Sequence, residues 1–460
     1  MVKTTSSLLR PEILKSKGQT FVFAVLYFLC GADLFFATRV NGFNFRWGQL
    51  LLLLAAIPAG FDFIKSLREK NISGDLRLKF LMGWLPFFVV YGLAALFSAT
   101  PFLTGIKWGW GLFNIGLAAL ICLQPRRNET IEKGFAWGIL ATAILLWLQA
   151  LALYALPFLT LVHDQGEGSP SVVSFCSIFL GYAQSSFNYK GLAIFRPHAF
   201  YYEPSYVGAA LSFALFLLIF LDLKRNPGKN GLFPAIALSS ILLCSSRTGI
   251  LSVVLFLSLV FYFARRLPDR TLFRRSLYRA FLISLILIGT FCLFPLGRQY
   301  VEFISGPLGA DSYMRLHKKN SSEQGRLENM KESLRLISEH PILGNGVTKI
   351  VPADSGGLSQ FSGVTWFEIG LESGVLGVMA FLYAILANMR LAWNKAPPSL
   401  LRNLVLSAWI IHFGFQLFFS QTFPRLDYWL LFFLSLRLLF DSTLSSGGQS
   451  IPPGTTAKLL

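Results

Sequence analysis

The chain is poor in charge and poorest in acid: 14% of its 460 residues are charged, with 23 Asp and Glu against 41 Lys and Arg. Its five cysteines, Cys30, Cys122, Cys176, Cys244 and Cys292, stand far apart, which excludes a disulfide framework and a cysteine metal site. No two aspartates form a D-x-D arrangement, so the usual carboxylate grip on a metal-bound nucleotide sugar is missing. A phosphate-cradling P-loop and a dinucleotide-binding glycine fingerprint are missing as well. No metal and no organic cofactor is therefore expected. The net charge of +18 has no polar folded domain to carry it, which excludes nucleic acid as a partner.

What is there is apolar. Hydrophobic residues make up 54% of the chain, in recurring runs long enough to cross a hydrocarbon core of about 30 Å at about 1.5 Å per residue. The expected spans are 20–38, 48–65, 80–98, 105–123, 134–156, 204–221, 232–246, 248–264, 280–296, 368–389, 403–421 and 426–441. The expected fold is thus an all-α polytopic membrane protein of about twelve helices, with residues 1–460 as one membrane domain. The first run follows a basic stretch without a small-residue cleavage site and reads as an uncleaved signal anchor. Placing both termini in the cytoplasm puts most of the Lys and Arg on that side, as the positive-inside rule requires of short loops. The net charge is thus almost wholly a topology signal.

Two long loops, 157–203 and 297–367, then fall on the outer face. Loops of that length are usually functional or disordered. The second contains a helix: Ser321 with Gln324 fits a capping box, and Leu327, Met330, Leu334 and Ile337 share one face. Pro341 ends it after His340, and Gly344 and Gly346 in PILGNG mark a tight turn. This helix either lies on the bilayer surface or acts as a lid over an active site embedded in the membrane.

Three segments hold polar residues at the rim of the apolar spans. FRPHAFYYEPSYVG carries Arg196, His198, Tyr202 and Glu203; Arg196 either serves a site or snorkels to headgroups, and Glu203 either serves a site or answers a helix dipole. SSRTG confines Arg247 near the outer surface, where a planar guanidinium suits the grip of a phosphate; a simple turn is the alternative. TWFEIGLESGVLG puts Glu368 and Glu372 four residues apart on one helical face, as reactive carboxylates or as interfacial caps.

In this order of features the chain resembles the O-antigen ligase and polymerase superfamily of bacterial envelope glycan enzymes. The likeness rests on about twelve spans, an arginine-bearing loop before a mid-chain span, the S-R-T-G hairpin, a large loop ending in EHPILGNG and a following span opening with ExG. It implies a glycosyltransferase of the bacterial cytoplasmic membrane, working at the outer face on undecaprenyl-diphosphate-linked glycan donors and acceptors. It also implies that Arg196 and Arg247 hold the diphosphate. Arg335 to Gly346 fits the R-x10-G spacing of the polymerase branch, while Arg196 to Gly208 is one residue longer. The His-Asn pair that ligases carry before the ExG glutamate is absent; its place is near Gly363. Polymerisation of O-antigen or exopolysaccharide repeats is therefore expected, with ligase as the alternative and a lipid-linked glycan flippase as the alternative of another class. Glu203, Glu368 and His340, in that order, are the candidate bases. His198, Tyr202, Arg326, Arg335 and Glu372 are candidate substrate contacts, and a chain-length regulator is a candidate partner.

Overall fold

The computed structural model describes residues 11–31, 36–40, 43–68, 72–123, 128–155, 160–163, 171–174, 183–189, 192–201, 204–225, 231–265, 270–305, 322–347, 364–418 and 425–447. Each expected span overlaps a helix. They are α1 (Pro11–Gly31), α2 (Trp47–Arg68), α3 (Ile72–Phe97), α4 (Pro101–Cys122), α5 (Asn128–Tyr154), α6 (Pro204–Arg225), α7 (Leu232–Leu243), α8 (Arg247–Ala264), α9 (Arg270–Phe291), α12 (Thr365–Lys395), α13 (Leu400–Gly414) and α14 (Leu426–Gly447). Between α9 and α12 lie α10 (Pro295–Ser305) and α11 (Ser322–Glu339), the helix expected in the second loop. Among the described residues, seven helices are long and apolar enough to cross a membrane, and three shorter ones are apolar. The polytopic helical class therefore stands, while the number twelve rests on the sequence.

Two stretches that the apolar pattern left as span or loop form short antiparallel strands. Phe36–Val40 (β1) pairs with Phe43–Arg46 (β2), ending the first helix earlier than expected. Asn-Gly separates them in sequence, the pair that two-residue hairpins favour. In the first long loop, β3 (Thr160–His163), β4 (Ser171–Ser174), β5 (Ala183–Tyr189) and β6 (Leu192–Phe195) form a meander in that order. Their Val, Ile, Thr and Phe content suits extended backbone.

The core is aromatic. Trp84 is ringed by Phe87, Phe381, Phe413, Trp429 and Phe432 at centroid separations of 5.0–6.5 Å. These rings lock α3, α12, α13 and α14 together through large buried surfaces.

Polar ties fix which helix ends share a level. Tyr428 at the start of α14 donates to the carbonyl of Tyr206 at the start of α6, 3.0 Å. Gln416, just after α13, donates to the Ala209 carbonyl and to Ser212 of α6, 3.2 and 2.7 Å. Trp366 at the start of α12 donates to the Phe413 carbonyl, 3.1 Å. Gly249 of α8 lies against Gly208 of α6. One end of the bundle thus gathers the starts of α6, α8, α12 and α14 with the end of α13, and the segments with rim arginines and glutamates open onto it.

Candidate functional site

The helix that carries the two glutamates is broken. Gly374 interrupts α12 with φ 65° and ψ −168°, a conformation open in practice only to glycine. In an unbroken helix the Val375 N–H would donate to the Leu371 carbonyl. Instead Val375 donates to Pro341, 2.8 Å, and Leu376 to Ile342, 3.3 Å, while Leu371 accepts from Asn345, 2.7 Å. The PILGNG turn folds in to satisfy what the break exposes, and Gly344 and Gly346 supply its positive φ values of 70° and 82°. Irregular backbone within an apolar bundle is stable only when its polar groups are met in this way.

The same turn ties to α3 and α4. Ala99 donates to the Asn345 carbonyl, 3.3 Å; Val347 donates to Thr104 Oγ1, 2.8 Å; Thr100 Oγ1 donates to the Val347 carbonyl, 3.1 Å. We expect Gly374→Ala to lower stability by about 2–3 kcal/mol or more, from backbone strain and from collision of the new Cβ with the Ile342 carbonyl. Gly109→Ala, where nothing lies within 4 Å of an added Cβ, is the control. Thermal unfolding of the two variants in detergent tests the difference.

Just before the break, Glu368 and Glu372 face α3 and α4. Lys107 Nζ makes a short ion pair with Glu372 Oε1 and lies 3.6 Å from Glu368 Oε2. Tyr91 donates a short hydrogen bond to Glu372 Oε2. All four groups are largely shielded from solvent. Glu372 lies seven residues into α12, about 10 Å along it. Its two oxygens are engaged by a cation and a phenol, which fits a carboxylate that organises the cluster. Lys107 and Tyr91 had no place among the sequence candidates.

The second polar centre lies around the segment 196–201. The backbone N–H groups of His198 and Ala199 donate to Gln149 Oε1, 2.8 and 3.0 Å, and His198 Nδ1 meets the Tyr201 carbonyl. His198 is therefore buried and built into the loop. Arg196 is half-buried and within electrostatic reach of Cys244 and Tyr300. Cys244 ends the helix whose following turn leads to Arg247. In that turn Ser245 takes φ 51°, Ser246 accepts from the Gly249 N–H, 3.0 Å, and Arg247 opens α8 exposed. A cation at a helix N-terminus works against the helix dipole by about 0.3–1 kcal/mol; an anion bound beside it would be drawn by both.

Arg425 is a buried cation at this end. It pairs with Asp427, 3.2 Å, donates to the Gly31 carbonyl, 3.0 Å, and faces the rings of Tyr201 and Tyr206 at 4.7 and 5.4 Å. Tyr201 in turn donates to Asp427 Oδ2, 3.2 Å. These contacts clamp the 196–201 segment to α1 and α14.

Arg335 and His340 lie apart from these two centres. Arg335 is exposed on α11, bonded to Glu332 at 3.0 Å and ion-paired with Glu339 on its own helix; its hydrogen bond holds the Glu332 carboxyl below the ordinary range. His340 is exposed at the end of α11. Tyr202, Glu203 and the Arg326 side chain lie outside the described residues. No group of three metal-ligating side chains occurs among the described residues.

Residues 232–382 match the family model described as O-Antigen ligase. This match supports the O-antigen ligase/polymerase superfamily and a membrane enzyme of that kind. It spans the SSRTG turn, PILGNG and both glutamates, whereas Arg196, Tyr91 and Lys107 lie before it.

Proposed function

We propose that the protein is a membrane glycosyltransferase that polymerises undecaprenyl-diphosphate-linked repeat units of O-antigen or another exopolysaccharide at the outer face of the cytoplasmic membrane. The observation that carries this reading is the grouping, at one end of the bundle, of the arginine-bearing 196–201 segment, the Arg247 helix start and the shielded Glu368–Lys107–Glu372 cluster. The chemistry needs two opposite properties near each other. Arg196 and Arg247 take the negative charge that builds on the departing diphosphate, without a metal. A carboxylate removes the proton of the attacking hydroxyl.

In balanced form, the acceptor oxygen bonds to the donor's anomeric carbon, the carbon–oxygen bond to the diphosphate breaks, and its electron pair leaves with the phosphate. The acceptor proton goes to Glu368, which faces Lys107 at 3.6 Å, and Lys107 is itself anchored by Glu372. Glu368→Gln is expected to slow turnover by about a hundredfold or more while leaving insertion and donor binding intact. Purified protein with lipid-linked oligosaccharide, in the absence of an ion gradient, measures it; undiminished turnover would move the base to another residue. Elongation in that assay also excludes a flippase.

The family description favours a second reading, transfer of finished glycan to another acceptor. Electrophoresis of envelope glycans from a deletion strain separates the two. Loss of a polymerase leaves a single repeat on its anchor; loss of a ligase leaves none.

A further inference from the structure

Along α1, from its end away from the candidate site to Phe200 beside that site, the surface holds a groove to which the proposed reaction gives no role. It has a volume of about 1180 Å³ and runs between α1 and α5. Its floor exists because the two helices touch: an added Cβ on Gly134 would strike Phe23 and the Thr20 carbonyl, and one on Gly138 the Ala24 carbonyl and Tyr27. These contacts advance together along both chains, so α1 and α5 run parallel and the groove follows their shared axis. The walls are apolar, including Val25, Ile144 and Leu148, with Phe200 at the far end. Lys17 and Lys133 line the opposite end.

We propose that this groove binds an anionic glycerophospholipid, its phosphate between Lys17 and Lys133 and an acyl chain laid toward Phe200. The groove is long enough for one chain: Lys133 to Leu148 is about 22 Å along α5, and Lys17 to Phe28 about 16 Å along α1, against about 15 Å for one leaflet's hydrocarbon. The charge agrees as well. Lys133 pairs with Glu129 at 2.7 Å, but that pair is on the surface and worth little in water, so a phosphate can replace or share it. Lys17 adds a second cation, and Glu132, the next acid along α5, is turned toward Lys224 at 3.5 Å.

A polyprenyl diphosphate fits less well. Its anionic head belongs beside the arginines at the Phe200 end, whereas the groove's cations lie a leaflet away. The proposed lipid therefore accompanies the enzyme without being its substrate; setting the carrier aside rests on the proposed reaction, while the lysines and apolar walls of the groove do not.

Native mass spectrometry of the full-length protein, stripped of lipid and titrated with phosphatidylglycerol or phosphatidylcholine of equal chain length, tests the proposal. Phosphatidylglycerol should bind more tightly, by on the order of tenfold or more, because two lysines beside the phosphate favour the lipid of net negative charge. The double variant K17Q/K133Q should lose that preference, and Ala141→Trp, which fills the groove wall, should lose both lipids with the lysines intact. Equal binding of the two lipids by the unaltered protein, or an unchanged preference in K17Q/K133Q, would overturn it. So would competition in which undecaprenyl phosphate displaces phosphatidylglycerol and itself depends on Lys17 and Lys133.

Discussion

Lys107→Ala is expected to be the most damaging single substitution described here, costing about 3–5 kcal/mol of stability by leaving two shielded carboxylates without their cation. Lost Coulomb attraction is the smaller part of that figure; most of it is the cost of keeping Glu372 and Glu368 where little water reaches them. The double variant K107M/E372Q removes cation and anion together and should recover much of the loss. A merely surface lysine would show neither effect. Thermal stability in detergent, followed by size-exclusion fluorescence, distinguishes the cases: a drop equal to that of an exposed lysine would mean that the cluster is solvated in the membrane.

Arg247→Ala should abolish chain elongation, with a loss of about a hundredfold to a thousandfold, the scale seen when one preorganised donor to a developing anion is removed. Insertion and stability should be nearly unchanged, because Arg247 is exposed and the Ser246 cap holds the start of α8 without it. Arg247→Lys should restore only part of the rate, since an ammonium keeps the charge but loses the planar two-pronged donor. Turnover of purified variants with a lipid-linked donor gives the answer. A fully active Arg247→Ala enzyme would reduce SSRTG to a turn between two helices.

Much of the bundle was legible because a membrane helix announces itself by composition alone. Every expected span meets a helix, and the helix after Ser321 appears with its proline stop. The break in α12 was not legible. ESGVLG reads as continuous apolar helix, and nothing local says that Gly374 turns out of it; the cause is the PILGNG turn, about thirty residues earlier, which supplies the replacement hydrogen bonds. The glycines of that turn could be read and its destination could not.

Lys107 lies within the apolar run 105–123, where a lysine is itself a signal, being costly without a partner. Its partners lie 261 and 265 positions away in the chain, beyond the reach of any local pattern. Arg425, just before the last span, is likewise buried against Asp427 and three tyrosines, none of which a local pattern points to. Conversely, Arg335 fits a spacing rule in sequence but spends its guanidinium on two glutamates of its own helix. A one-dimensional spacing carries no information on which way a helix faces once it docks.

The distance between Lys107 and Glu372 also sets a timetable for biogenesis. Their separation of 265 residues, at about 5–20 residues per second, amounts to on the order of ten seconds to a minute of synthesis. Through that interval α4 waits in the bilayer without its glutamates, and the amino-terminal helices form an open cradle for a helix the ribosome has not yet made. A nascent chain arrested before residue 365 would hold that lysine without either carboxylate, a charge within the apolar bundle that the finished molecule does not leave exposed to lipid.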